Sequence, residues 1–131
     1  MGQQSSFELT VDDQFSAAHC LRNYDGSCAR LHGHTWHVSV TVGADNVGDM
    51  GMCMDFKEIA GHLSRIVEFY DHHQLNEVAP FDEINPTAEN IARVIFEKIS
   101  HGINRDGIRV VAVKVAESDR YRVTYRGGAP L

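Results

Sequence analysis

Polar and hydrophobic residues alternate along two long stretches in the first third of the chain. In residues 7–21 the odd positions are mostly apolar, and this series is interrupted only by Asp13. In residues 32–42 the even positions form a second series that contains a tryptophan and three valines. A period of two is typical of strands that bury one face. The pattern predicts two long strands, the first with a bulge near Asp12 and Asp13.

A helical period follows in the middle of the chain. Apolar residues recur every three or four positions across residues 55–70, which predicts a first helix. A second helix is expected to begin within the segment NPTAEN, residues 85–90. There Asn85 or Thr87 can cap the helix, and Pro86 suits a first turn.

Two short alternating stretches close the chain. Residues 111–117 and 121–125 each read as a strand, and the turn-forming residues Ser-Asp-Arg between them favour a hairpin. The predicted order is therefore β-β-α-α-β-β, which indicates an α+β fold with a four-stranded antiparallel sheet and two helices on one face. No linker divides the sequence, so residues 1–131 are expected to form a single domain, with residues 1–5 mobile.

Composition narrows the classes of function. The chain has 131 residues, of which 43% are hydrophobic, and a formal net charge of −6. An acidic globular chain does not favour general binding of nucleic acids or membrane surfaces, which require a basic face. No run reaches the ~18 apolar residues of a membrane span, and the first residues do not resemble a signal peptide. Three cysteines without a C-x-x-C spacing indicate free thiols, so we expect a cytoplasmic protein.

Three histidines stand out on the two long strands. His32 and His34 are two residues apart, so on a strand they share a face at ~6.6 Å along the backbone. His19 ends the buried series of the preceding strand and can supply a third ligand if the strands pair. Three protein ligands and one open position are typical of catalytic zinc. The alternative is that all three are ordinary polar residues at the margin of a sheet.

A thiol and an acid–histidine pair lie near this set in sequence. Cys28 precedes the His32–His34 pair in a loop, where a nearby cation favours the thiolate; the alternative is a small hydrophobic filler. Asp71 is adjacent to His72, and a carboxylate in that position can orient an imidazole. On local grounds His73 is an equally good partner, and a helix end is itself a common place for polar residues.

Two glutamates are candidates for binding a substrate. Glu117 ends the buried series of the third strand and can accept two hydrogen bonds from a planar N–H edge, such as that of a guanine or a pterin. Its alternative interpretation is a solvated strand end. Glu89 lies in the first turn of the second helix, where the helix dipole already accounts for an acid.

Taken together, these residues resemble the 6-pyruvoyl-tetrahydropterin synthase family, which includes the 6-carboxytetrahydropterin synthases of the queuosine pathway. The resemblance covers nearly the whole chain, in order, through the segments FSAAH (15–19), CARLHGH (28–34), MDF (54–56), YDHHQLN (70–76), NPTAEN (85–90) and AES (116–118). The resemblance implies the tunnelling fold and three groups of functional residues. These are zinc ligands His19, His32 and His34; catalytic residues Cys28, Asp71 and His72; and substrate-binding residues Glu117, Glu89 and Thr87.

The resemblance also implies an activity. The spacing of CARLHGH is more similar to that of the carboxy-forming branch, a carbon–carbon lyase that converts 7,8-dihydroneopterin 3'-triphosphate to 6-carboxy-5,6,7,8-tetrahydropterin, acetaldehyde and triphosphate. The alternatives are 6-pyruvoyl-tetrahydropterin synthase and a non-catalytic pterin-binding module. The implied assembly is a homo-oligomer, a hexamer, with active sites at subunit interfaces. Tyr70 and Ser118 depart from the usual leucine and threonine, which affects fine specificity rather than class.

Arginines near the end of the chain permit a further interpretation. Arg120, Arg122 and Arg126 share one parity in the segment RYRVTYR. A solvated strand face explains them better than a nucleic-acid site, and contact with a triphosphate is the other alternative.

Overall fold

The computed structural model describes residues 5–127, and the expectation of a mobile terminus falls largely on residues 1–4, outside this range. Seven helices and strands follow one another along the described part of the chain. They are β1 (Phe7–His19), β2 (His32–Ala44), α1 (Phe56–Tyr70), β3 (His73–Gln74), α2 (Ala88–Ile103), β4 (Ile108–Ala116) and β5 (Arg122–Tyr125). Short 3₁₀ turns lie at Ser27–Ala29 and Leu75–Glu77.

The strands form one sheet in the order β3-β1-β2-β4-β5. The pairs β1–β2, β2–β4 and β4–β5 are antiparallel, as predicted. A fifth strand corrects the expected count of four, because β3 pairs with β1 in parallel at Ala17 and Ala18. Two residues are too short to produce an alternating sequence pattern, so β3 could not be recognised from the sequence.

The expected bulge near Asp12 and Asp13 is wrong. The register of β1 against β2 runs unbroken from the pair Phe7–Ala44 to the pair His19–His32. The irregularity of the sheet lies instead between Thr41 and Val42, where β2 pairs with β4. Polar residues at 12 and 13 therefore interrupt the apolar pattern without interrupting the strand.

Both helices pack on one face of the sheet, which confirms the α+β architecture. Helix α1 contacts β1, helix α2 contacts β4 and β5, and the two helices contact each other. The core between them is apolar and fully buried, and its largest members are Trp36, Tyr70, Phe15, Phe81, Ile59, Leu63, Ile91, Ile95 and Ile99.

Side-chain caps fix where the helices begin. The Asp55 carboxylate accepts a hydrogen bond from the Lys57 N–H at 2.8 Å, and the Thr87 hydroxyl accepts one from the Asn90 N–H at 3.1 Å. Of the two predicted caps of α2, Thr87 is the one used. Pro86 is left just before the helix rather than in its first turn.

Candidate active site and metal centre

The three histidines meet because of how β1 and β2 pair. His19 lies directly opposite His32 in the antiparallel register, and His34 lies opposite Ala17. All three have the parity of the buried positions Phe15 and Trp36. Their rings are therefore presented on the helix-covered face of the sheet, at the end where β1 stops and β2 starts.

The rings converge as the ligands of one ion would. Ring centroids are 4.6 Å apart for His19 and His32, 5.2 Å for His19 and His34, and 4.9 Å for His32 and His34. One ligand atom from each residue can be chosen so that all three atoms lie within 4.8 Å of one another. This group is the candidate metal centre that the sequence pattern indicated.

Backbone carbonyls fix the orientation of two of these rings. The His19 Nδ1–H donates to the Pro86 carbonyl at 2.7 Å, and the His32 Nδ1–H donates to the Arg30 carbonyl at 2.7 Å. A carbonyl can only accept, so Nδ1 carries the proton in each case and Nε2 keeps its lone pair. Orientation of this kind by a neighbouring acceptor is typical of histidines that bind metals.

Two buried ring nitrogens lack a hydrogen-bond partner. Nε2 of His19 and Nε2 of His34 are buried and make no hydrogen bond within residues 5–127. Desolvation lowers the pKa of His19 and of His34, which favours the neutral, ligand-competent imidazole. A buried nitrogen that lacks a partner costs free energy, and a bound cation would remove that cost. The residues present thus fit a zinc ion.

The Trp36 ring packs against the metal centre on its core side. The centroid of the Trp36 ring lies 4.9 Å from that of His19 and 5.1 Å from that of His34, and Trp36 is fully buried. Its indole N–H donates to the Ala17 carbonyl at 3.2 Å, which satisfies its only polar group. The centre therefore has an apolar base and opens away from it.

Glu117 lies at the rim of this centre. Its carboxylate Oε2 is 3.7 Å from Nε2 of His34, and its side chain is 32% exposed, so it can reach a ligand from solvent. It lines a pocket of about 290 Å³ together with Glu89, Arg120 and Tyr121. The pocket thus joins two of the predicted substrate-binding residues at the margin of the metal centre.

Thr87 has a different local function from its two predicted companions. Its hydroxyl caps α2 by accepting from the Asn90 N–H, and it is not among the residues that line this pocket. Tyr121 was not predicted at the site, because a single aromatic at the start of a predicted strand carries no sequence signal for binding.

Cys28 lies in the Ser27–Ala29 turn between β1 and β2 and is partly exposed. The Cys28 carbonyl accepts a hydrogen bond from the Leu21 N–H at 2.9 Å, which attaches the turn to the end of β1. Among residues 5–127, no hydrogen bond joins its thiol to Asp71 or His72.

Asp71 and His72 form a bonded pair just beyond α1. The Asp71 Oδ2 accepts from the His72 Nδ1–H at 2.7 Å, and the Asp71 Oδ1 accepts from the Ser16 N–H at 2.8 Å. His73 instead donates from Nδ1 to the Asp71 main-chain carbonyl at 2.8 Å. Of the two histidines that the sequence left open, His72 is therefore the partner of the carboxylate.

The backbone at His72 is in the left-handed region, with φ of 58°. Its N–H donates to the Ser16 carbonyl at 2.6 Å and the Ser16 N–H donates to Asp71, so both backbone groups of Ser16 in β1 are bonded to this turn. This leaves the His72 side chain 82% exposed, with the ring beside a groove of about 520 Å³. An exposed ring with one oriented nitrogen is suited to proton transfer at Nε2.

The groove beside His72 lies mostly on the opposite face of the sheet from the metal centre. Its lining includes the metal-centre residue His34 and Ala17, together with His72, His73 and four further strand residues, Ser16, Ala18, Gly33 and Thr35. These four strand positions have the opposite parity to His19, His32 and His34, and alternate residues of a strand point to opposite faces. Most of the groove beside the acid–histidine pair therefore lies on the outer face of the sheet, and the groove borders the metal centre at His34.

Comparison with known proteins gives this arrangement a family. Residues 8–128 match the family model described as 6-pyruvoyl tetrahydropterin synthase. The chain belongs to this family. Solved members share its fold: the 6-pyruvoyl tetrahydropterin synthase of Caenorhabditis elegans superposes with a TM-score of 0.84 at 25% identity, covering 98% of this chain and 100% of that one.

Two curated relatives carry the name of one branch of the family. The chain is 37% identical over 100 residues to the 6-carboxy-5,6,7,8-tetrahydropterin synthase of Bacillus subtilis, covering 72% of this chain and 66% of the relative. It is 39% identical over 90 residues to the enzyme of the same name from Synechocystis, covering 65% and 68%. The matched segments thus span about two thirds of these relatives' length. Membership of the 6-pyruvoyl tetrahydropterin synthase family indicates an enzyme of pterin metabolism.

The hydropathy of the helices adds a separate observation. Within residues 5–127, neither helix has the length and apolar character needed to cross a membrane.

Acid should weaken the Asp71 contacts. The hydrogen bond from the Ser16 N–H, and then that from His72, hold the pKa of Asp71 below its ordinary 3.8. A lowered folded-state pKa stabilises the fold above the unfolded-state pKa, and this stabilisation is lost as the pH falls through the folded-state value. We expect the free energy of unfolding to decrease more between about pH 5 and about pH 3 in the native protein than in Asp71→Asn.

Urea unfolding at the two pH values measures this difference. Asp82→Asn, which changes an exposed carboxylate of the loop before α2, is the matched control and should behave as the native protein does. Equal losses of unfolding free energy in the native protein and Asp71→Asn would contradict the lowered pKa of Asp71.

Proposed function

We propose that this protein is a zinc-dependent 6-carboxytetrahydropterin synthase. The reaction would convert 7,8-dihydroneopterin 3'-triphosphate and water to 6-carboxy-5,6,7,8-tetrahydropterin, acetaldehyde and triphosphate, as a carbon–carbon lyase of the queuosine pathway. One observation carries the proposal: two buried imidazole nitrogens without a hydrogen bond and a third histidine converge beside a carboxylate that lines a pocket. The names of the relatives at 37% and 39% identity support the choice of branch.

His19, His32 and His34 would hold the metal. All three offer a ring nitrogen as donor and leave a fourth position for substrate, which is the ligand set of catalytic zinc. A zinc ion bound there would act as a Lewis acid towards the hydroxyls of the substrate side chain. The Pro86 and Arg30 carbonyls set the tautomers of His19 and His32, which leaves Nε2 of each ring available to bind the metal.

Glu117 would anchor the pterin ring. Its carboxylate can accept two parallel hydrogen bonds from the N–H edge of the ring, which fixes the ring in plane. Because this carboxylate lies 3.7 Å from Nε2 of His34, a ring bound to it would have its side chain near the metal centre. Glu89 lines the same pocket and Thr87 caps the helix that forms its wall, so both would support the anchor.

Cys28, Asp71 and His72 would handle protons. The thiolate of Cys28 would take a proton from the side chain of the substrate, and Nε2 of His72 would relay protons. Asp71 keeps the His72 ring in one tautomer through the 2.7 Å bond to Nδ1. A module that only binds pterins needs none of these three groups.

The position of His72 supports a site completed by a second chain. Most of its groove lies on the outer face, whereas the metal centre faces the helices, and no hydrogen bond joins its ring to Cys28 within residues 5–127. Strand β1 pairs with β3 only at Ala17 and Ala18, so among residues 5–127 no strand of the same chain lies along most of its outer edge. Unpaired strand edges can join between chains. We therefore include a homo-oligomer, a hexamer, in the proposal.

Two further expectations belong to the same proposal. We take residues 1–131 as one domain of the family, because the family match covers 8–128. Cys20, Cys28 and Cys53 are all free, which suits the reducing cytoplasm.

The product identifies the reaction. Zinc-loaded protein incubated with 7,8-dihydroneopterin triphosphate should yield 6-carboxytetrahydropterin and acetaldehyde, which mass spectrometry with a carbonyl-trapping reagent detects. A 6-pyruvoyl product without acetaldehyde would move the protein to the branch named by its Caenorhabditis elegans neighbour. Unchanged substrate that nonetheless binds would favour a pterin-binding module.

Removal of a ligand tests the metal centre. His32→Ala should lose stoichiometric zinc, because two histidines leave a site that is one protein ligand short. His37→Ala is the matched control, since His37 is an exposed histidine on the same strand with the opposite parity. Metal content measured by plasma mass spectrometry on the purified variants distinguishes them. Full zinc in His32→Ala would mean that the ligand set is wrong.

Removal of the thiol tests the chemistry separately from the metal. Cys28→Ala should retain zinc and lose turnover by ~10²-fold or more, the usual scale for a positioned acid or base. Cys53→Ala removes another free, partly buried thiol and should keep its turnover. Steady-state product formation at saturating substrate measures both variants. Undiminished turnover in Cys28→Ala would exclude Cys28 from the mechanism.

A further inference from the structure

Two asparagine side chains hold the chain just after it leaves β1. Asn76 accepts from the Cys20 N–H at 2.9 Å through Oδ1 and donates from Nδ2 to the Cys20 carbonyl at 2.9 Å. Asn85 does the same at Arg22, accepting from its N–H at 2.8 Å and donating to its carbonyl at 3.2 Å. Each amide thus satisfies both backbone groups of one residue, as a neighbouring strand would.

The side chain of Arg22 strengthens the same connection. Its guanidinium donates to the carbonyls of Asn76 at 3.2 Å, Phe81 at 2.6 Å and Ile84 at 3.1 Å. Within residues 5–127 it makes no ion pair with a carboxylate, so main-chain oxygens of one loop are its acceptors. We call Asn76, Asn85 and Arg22 the amide clamp.

The amide clamp lies on both sides of a metal ligand. Cys20 follows His19 directly, and Asn85 precedes Pro86, whose carbonyl accepts from the His19 ring at 2.7 Å. The Asn90 side chain donates to the Asn85 carbonyl at 2.8 Å and so connects this segment to α2. The clamp therefore fixes both the backbone that carries the imidazole and the acceptor that orients it.

The same clamp also supports the turn that carries Cys28. Leu21 lies between the two clamped residues, and its N–H donates to the Cys28 carbonyl at 2.9 Å. The turn that carries Cys28 is thus attached to backbone that the two asparagines hold in place.

We infer that the amide clamp is a positioning device for the metal centre and the thiol turn, with Asn76, Asn85 and Arg22 acting through His19 and the Cys28 carbonyl. This inference rests on the proposed zinc site. Loss of a group that orients a metal ligand typically weakens metal binding by about 10- to 100-fold. An asparagine is required at both positions because its amide donates and accepts at once, which neither aspartate nor alanine can do.

Zinc affinity tests the inference without reference to turnover. Zinc-loaded Asn76→Ala and Asn85→Ala are titrated with a chromogenic chelator, and each dissociation constant for zinc should rise by about 10- to 100-fold. The matched control is Asn104→Ala, since the Asn104 side chain accepts from the Val110 N–H at 2.8 Å at the opposite end of α2. It removes a comparable bond far from the site, and its zinc affinity should stay at the native value.

Two readouts separate positioning from loss of stability. Asn85→Asp keeps the acceptor for the Arg22 N–H and loses only the donor, so its zinc affinity should lie between those of the native protein and Asn85→Ala, even if the alanine variant folds poorly. The rate at which iodoacetamide alkylates Cys28 in the zinc-loaded protein should change in Asn85→Ala and not in Asn104→Ala.

Failure of the inference and failure of the proposed function give different results. Native zinc affinity in both alanine variants, or a loss no larger than that of Asn104→Ala, would overturn the amide clamp while His32→Ala still lost its zinc. Full zinc in His32→Ala would overturn the ligand set itself, and the inference with it.

Discussion

Strands β1 and β2 are held in register by an unbroken series of residue pairs that ends at His19 and His32. Side chains on a strand alternate between faces, so a slip of one residue would turn the histidines of one strand away from those of the other. The buried residues of the same parity, Phe15 and Trp36, resist such a slip because it would expose them. The metal centre is thus specified by the same packing that specifies the sheet.

Burial gives these histidines their chemical character. Desolvation lowers the pKa of His19 and of His34, and the carbonyls of Pro86 and Arg30 select the tautomer of His19 and His32. Together these effects leave Nε2 available as a metal donor before any ligand arrives. This preorganisation depends on the core beneath the histidines, where a hydrogen bond satisfies the only polar group of the Trp36 side chain.

Residues that belong to a periodic element could be placed from the sequence. The parity of residues 7–21 and 32–42 was enough to place His19 near His32 and His34. The position of Glu117 at the end of the third predicted strand was enough to place it near them. Thr87 as the cap of α2 was one of two options, because propensity alone does not distinguish it from Asn85.

What could not be predicted depends on non-periodic segments. The pairing of Asp71 with His72 rather than His73 follows from a left-handed backbone at His72 that no local pattern encodes. Asn76 and Arg22 bond to backbone more than fifty residues away, and β3 is too short to show alternation. Such contacts arise only when the loops are folded against β1, so they belong to tertiary structure rather than to sequence pattern.

The outward-facing groove beside His72 has a consequence for how the protein would be controlled. If the proton relay of one chain serves the metal centre of another, as proposed, a dissociated subunit contains every functional residue and remains idle. Catalysis then follows mass action, and the specific activity rises with the total concentration of the protein. Expression level would act as a threshold, below which newly made chains contribute no turnover until they find neighbours.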